Sequence, residues 1–128
     1  FKEAVTKSAT EAIPSFEAEQ LVFGFTHMDV GSMLVRHWQL PESLAHAVFL
    51  HHEPELAGSL AEGCTDLVHT VHIANVYCHK LGFGAPATPE LTLATNESAQ
   101  ELGFNEGQLQ EVETKIVETF TSERAALT

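Results

Sequence analysis

Eight histidines stand in this chain against six lysines and arginines together, a surplus that asks for a chemical explanation. Imidazole ligates metals and exchanges protons near neutral pH. Helical periodicity makes three polar residues candidates for one inward site. His27 lies in the first turn of one predicted helix, His51 shares a face with Leu44 and Val48, and Asn75 borders the apolar stripe of a long helix. Two imidazoles and an amide make a poor metal centre. Zn or Fe sites usually take three or more protein ligands, often a carboxylate among them, and Asn brings no compensating charge. The expectation is therefore no resident metal, no cofactor and no catalytic residue.

Other chemistry is sparse. His51-His52-Glu53 also reads as a helix C-terminus, where histidine favours the negative end of the dipole. His69 and His72 have chelating spacing but read better as solvated surface, and His72 and His79 lie about 10.5 Å apart along the axis, too far to share an ion. Cys78 and His79 point about 100° apart on a helix and make no nucleophile–base pair. Gly82-Phe83-Gly84 lacks the Lys-Ser/Thr that a phosphate loop needs, and no G-x-S-x-G elbow occurs. Cys64 and Cys78, without Cys-rich spacing, are expected as free buried thiols in a reducing cytosol.

The elements that must position these residues are helical throughout. Periodicity of 3.6 runs along the chain, and no alternation at period 2 competes with it. A helix over 1–13 carries Phe1, Val5, Ala9 and Ala12 on one side, and Pro14 stops it. Ser15 is expected to cap a helix ending at Gly24. Thr26-His27-Met28-Asp29 fits a capping box, opening a helix to about Trp38 with Val30, Met33, Leu34 and Trp38 inward. Gly31 inside it costs about 1 kcal/mol against Ala, which a close helix crossing would explain. Pro41 starts a helix carrying Leu44, Ala47, Val48 and His51 on one face, ended by Pro54. Thr65 opens the most apolar helix, to Leu81 and Gly82, with Leu67, Val71, Ala74, Cys78 and Leu81 as its core stripe. A loop over 83–95 precedes a short helix at about 96–102, and Asn105 caps a last helix with Leu109, Val112, Ile116 and Phe120. The expected fold is an all-α bundle of six or seven helices in one domain over residues 1–128. Helices 26–38, 41–52 and 65–81 are expected to share a core that buries Trp38.

Composition narrows the partners. At 128 residues and 44% hydrophobic content, the chain can fill one core. Its formal charge of −12 repels phosphate backbones and anionic lipid, so neither nucleic acid nor membrane is expected. No apolar stretch is long enough to span a bilayer. With no basic-then-apolar leader in view, the expected location is cytoplasmic. A first residue of Phe reads as a cut piece of a longer chain.

The run Phe23-Gly24-Phe25-Thr26-His27-Met28-Asp29-Val30-Gly31 resembles the G-x-d-H-x-x-v-G element of HDOD domains. Trp38-Gln39-Leu40-Pro41, followed by Ala47-Val48 and His51-His52-Glu53-Pro54, resembles their W-x-L-P … HH-x-P element. Leu67-Val68 through Ile73-Ala74-Asn75 is similar to the helix that follows, and Leu102-Gly103-Phe104 to Leu109 to the closing helix. The resemblance spans roughly residues 15–120. HDOD domains are all-α relatives of the HD superfamily of metal-dependent phosphohydrolases, which includes the HD-GYP phosphodiesterases. By resemblance, His27 and His51 fall where HD-GYP enzymes carry ligand histidines, and Asn75 where the superfamily has its last Asp ligand.

Three departures follow. The superfamily's His-Asp dipeptide is nowhere in the chain, Asn stands for Asp, and Pro54-Glu55-Leu56 replaces a Gly-Tyr-Pro motif. The resemblance therefore implies a non-catalytic regulatory module of a bacterial signalling protein, acting through helix packing and protein contacts. The alternative it implies is an HD-type phosphohydrolase using His27, His51 and Asn75 with further ligands upstream. It also implies that N-terminal helices are missing, so the apolar side of the first helix should seek a partner, a homodimer being expected.

Overall fold

Proline and glycine punctuation sets the order of elements. The computed structural model describes residues 1–61, 63–83, 88, 90–93 and 95–126. Among them are seven α-helices, α1 (Lys2–Glu11), α2 (Ser15–Phe23), α3 (His27–His37), α4 (Glu42–Leu50), α5 (Cys64–Leu81), α6 (Glu97–Glu101) and α7 (Glu106–Ala126). A 3-10 helix lies at Pro54–Ser59, and the described residues contain no strand. The fold is all-α, as the periodicity predicts. No helix among the described residues is long and apolar enough to cross a membrane. Backbone contacts cluster into two compact units, Phe1–Val68 and His69–Thr128, which divide within α5.

In the first unit the ends at Gly24 and Thr26 follow their predicted signals. Gly24 closes α2 in the left-handed conformation at φ 77°, its N–H donating to the Gln20 carbonyl. Thr26 forms the full capping box: its hydroxyl accepts from the Asp29 N–H at 3.2 Å, while its own N–H donates to Asp29 Oδ2 at 2.7 Å. Those two Thr26 donors, backbone first and hydroxyl second, hold the Asp29 carboxyl below its ordinary 3.8. Pro41 stands one residue before the first turn of α4, as its N-cap. Ser15 and Thr65 do not cap. Ser15 is the first residue of α2, and the Thr65 hydroxyl donates to the Ala57 carbonyl at 3.1 Å.

α3 and α4 run antiparallel. Arg36 pairs with Glu42 at 2.7 Å at one end, Gly31 faces Val48 in the middle, and His27 meets His51 at the other. The crossing at Gly31 is as close as its sequence position suggests, because a methyl added there would lie 2.6 Å from Val48 Cγ1.

That closeness corrects the predicted inward face of α3. Met28, Ser32 and Val35 are buried, whereas Val30, Met33, Leu34 and Trp38 are exposed. Small residues at the crossing let α4 approach their side of the helix, which turns the larger side chains outward. Trp38, expected in the core, is 65% exposed. It caps α3 just before Gln39 turns the chain at φ 56°.

The second unit packs Ile73, Tyr77, Leu93, Ala99 and Leu109 together, with Val76, Leu102, Val112 and Ile116 against them. The predicted stripe of α5 is also rotated. Val68, His69, Ile73 and Tyr77 are buried, Ala74 and Cys78 are exposed, and Leu67, Val71 and Leu81 are half-buried. Polar atoms on the buried face find partners: His69 Nδ1 lies 2.8 Å from the Ser98 hydroxyl, and the Tyr77 hydroxyl donates to the Leu109 carbonyl at 3.4 Å. Burial, and then the charge of Glu113, pushes the Tyr77 hydroxyl up to about 12. Asn96 and Asn105 cap α6 and α7 through their side-chain oxygens. Both cysteines are free, but Cys64 is half-buried and Cys78 exposed, so the expected burial does not hold. Part of the predicted loop over 83–95 lies outside the described residues.

Candidate functional site

The antiparallel pairing of α3 and α4 brings the first residue of α3 to the last turn of α4. His27 is that first residue, and His51 is the C-cap of α4. His27 Nε2 stands 3.4 Å from His51 Nε2 and 3.2 Å from His52 Nε2. One nitrogen from each of the three rings lies within 4.8 Å of the other two, the one such His/Cys/Asp/Glu group among the described residues.

Each ring is oriented by its surroundings. Glu19, on α2, accepts from both the His27 backbone N–H at 2.8 Å and the His27 ring Nδ1 at 2.7 Å. Its carboxylate sits at the positive N-terminus of α3, where a negative charge is favoured. His51 Nδ1 lies 2.7 Å from the Val48 carbonyl, one turn back in α4. Phe16 stacks on the His52 ring at 5.0 Å between centroids. The His27 side chain is 41% exposed, so the cluster opens to solvent.

Two of the candidate residues therefore meet, and a third histidine joins them. Asn75 is half-buried on α5 in the second unit. His52 is the residue that sequence reasoning missed. Its signal was the His-His dipeptide itself, since at a helix C-terminus the chain leaves helical spacing and neighbouring side chains can turn to one side. The expectation of no metal rests on two good ligands, and the structure supplies three imidazoles. His69 and His72 belong to packing: His69 is buried against Ser98, and His72 Nε2 lies 3.4 Å from Asn96 Nδ2.

Beside the cluster lies a cleft of about 440 Å³ lined by Phe16, Leu21, Met28 and Phe49, with Asp29 and Glu53 among its polar residues. Residues 1–54 match the family model of the HDOD domain, a stretch that holds α1 to α4 and all three histidines. The HDOD match includes α1, which the resemblance left out, and ends at Pro54, so the likeness drawn over residues 55–120 lies outside it. Searches among curated proteins and solved structures give no match.

Proposed function

We propose that this chain is a non-catalytic HDOD signalling module that works through protein contact, its partner being a second copy of itself. The observation that carries this reading is the exposed apolar surface of the HDOD stretch. Phe1 is 85% exposed, Met33 67%, and Trp38 and Leu21 65% each. Apolar groups of this size left in water favour association, at roughly 25 cal/mol per Å² removed from it. The charge of −12 opposes indiscriminate aggregation and leaves a defined symmetric contact as the better outcome. By the resemblance, Asn75 stands where the superfamily has an Asp ligand, and that supports the non-catalytic part. Hydrolysis of this type needs a metal that polarises a phosphoryl oxygen and acidifies a bound water.

Light scattering on the chain at tens of micromolar tests the contact. A dimer that Trp38→Ser or Met33→Ser returns to a 14.0 kDa monomer supports the reading, and a wild-type monomer overturns it. One observation favours a second reading, the HD-type phosphohydrolase: three histidines converge. Turnover of a phosphodiester such as bis(p-nitrophenyl) phosphate with added Mn2+ or Fe2+, lost in His27→Gln, would establish it over the first.

A further inference from the structure

Most of the chain's own cations are already taken. Lys7 pairs with Glu11, Arg36 with Glu42, Lys80 with Glu113 and Lys115 with Glu111, four of the six lysines and arginines. Glu17 and Glu53 are exposed and pair with no cation among the described residues. Both line the cleft of about 440 Å³ in the first unit. Asp29 adds a third carboxylate there, and its Oδ2 accepts from the Thr26 N–H and hydroxyl, which keep it charged at neutral pH.

Within this acidic rim the surface is apolar. Met28 is buried, while Leu21 and Phe49 are exposed and open the cleft to water. Its volume falls in the range of about 300–1,000 Å³ usual for ligand pockets. An apolar group seated there leaves water, a cation beside it meets the carboxylates, and the rings of Phe16 and Phe49 add the attraction of a π face for positive charge. The same rim, on a chain of charge −12, repels phosphates and acidic peptides. A second copy of this chain is a poor occupant, because its cations are mostly held by its own glutamates. Glu17 on α2 and Glu53 beyond α4 charge the rim from two elements, which suits a segment carrying two cations about an apolar residue better than a single amine.

We propose that this cleft binds a basic segment of a different protein, one bulky apolar side chain seating against Leu21, Met28 and Phe49 while flanking Lys or Arg residues meet Glu17 and Glu53. The contact is additional to self-association and needs no second copy.

The probes are three tripeptides, acetylated and amidated, Arg-Phe-Arg, Arg-Leu-Arg and Lys-Trp-Lys, titrated into the whole chain at fixed concentration. The chain has two methionines, so 13C-methyl labelling gives two signals, which Met33→Leu assigns. Met28 lines the cleft, and Met33 lies outside it on the exposed side of α3. At least one probe should shift Met28 saturably and leave Met33 unmoved. Arg-Ser-Arg should bind at least about 10-fold more weakly than Arg-Phe-Arg, for want of the buried ring. Glu17→Gln and Glu53→Gln should each weaken binding about 2–5-fold, and salt at about 0.5 M should weaken it in the wild type. Four results overturn the proposal: no Met28 shift from any of the three probes at millimolar concentration, equal binding of Glu-Phe-Glu, unchanged affinity in the double glutamine variant, or binding of phenethylamine as tight as that of Arg-Phe-Arg, which would assign the cleft to a small amine. Dilution of the chain alone tests self-association through Met33, so the two readings fail separately.

Discussion

Replacing Gly31 by Ala sets two helical preferences against each other. Alanine gains about 1 kcal/mol over glycine in a helix interior. Here the added methyl would stand 2.6 Å from Val48 Cγ1. Carbon atoms rest at about 3.5–4.0 Å, so α3 and α4 must part by about 1 Å or Val48 must leave its rotamer. Valine in a helix has one strongly preferred χ1, which makes the second escape costly too. Overpacking of this kind costs about 1–3 kcal/mol. Net destabilisation for Gly31→Ala is therefore about 0–2 kcal/mol. The sharper measurement is the double substitution. In a Val48→Ala background the obstruction is gone, and Gly31→Ala should stabilise by the propensity term of about 1 kcal/mol. The coupling between the two sites is then about 1–3 kcal/mol, as for residues in direct contact. Urea unfolding followed by far-ultraviolet circular dichroism reads all four proteins. A Gly31→Ala gain of about 1 kcal/mol in both backgrounds would show that the crossing is not close, and the reasoning would fail.

At dilutions that hold the chain monomeric, Trp38→Ala should change stability by no more than about 0.5 kcal/mol, as for a surface site. Under the same conditions its fluorescence, assignable because the chain has one Trp, should be red-shifted and readily quenched by iodide, and a blue-shifted, protected emission from the monomer would contradict its exposure. Thr26→Ala should cost about 1 kcal/mol by loss of the α3 cap, measured by urea midpoint. Asp29 has its folded pKa lowered, so its contribution is present above 3.8 and lost as pH falls through the folded value. Acid titration should show wild type and Asp29→Asn differing at neutral pH and converging in acid. Tyr77, the one tyrosine, has a raised folded pKa, so its burial stabilises fully below 10 and progressively less between 10 and about 12. Tyrosinate absorbance should appear only near 12 or together with unfolding, and a titration centred at 10 in folded protein would contradict the packing.

Much of the architecture was legible because helix ends are local. Pro14, Gly24, the Thr26–Asp29 box, Asn96 and Asn105 act within one turn, and each stands where its chemistry places a boundary. Helix faces were less legible, because facing depends on what packs opposite. On α3, weighing side chains by apolar size put Met33 and Trp38 inside, whereas the fold chose the side where Gly31 and Ser32 permit close approach. On α5, Tyr77 and His69 went inward because Leu109 and Ser98 offered partners far along the chain. The site shows the same division. His27 and His51 could be paired from helical position, but His52 required the path of the chain beyond Leu50, and Glu19 required the placement of α2 against the start of α3.

These observations meet in the α3–α4 pair. A helix of eleven residues is about 16 Å long. Across that length the pair carries the histidine cluster at one end, the Gly31–Val48 crossing in the middle and Trp38 beside the Arg36–Glu42 ion pair at the other. Interhelical distance at the crossing governs the histidine separation, because His27 and His51 belong to different helices. The glycine that is costly to the helix is in this sense part of the histidine cluster, although it lies a full turn away from His27.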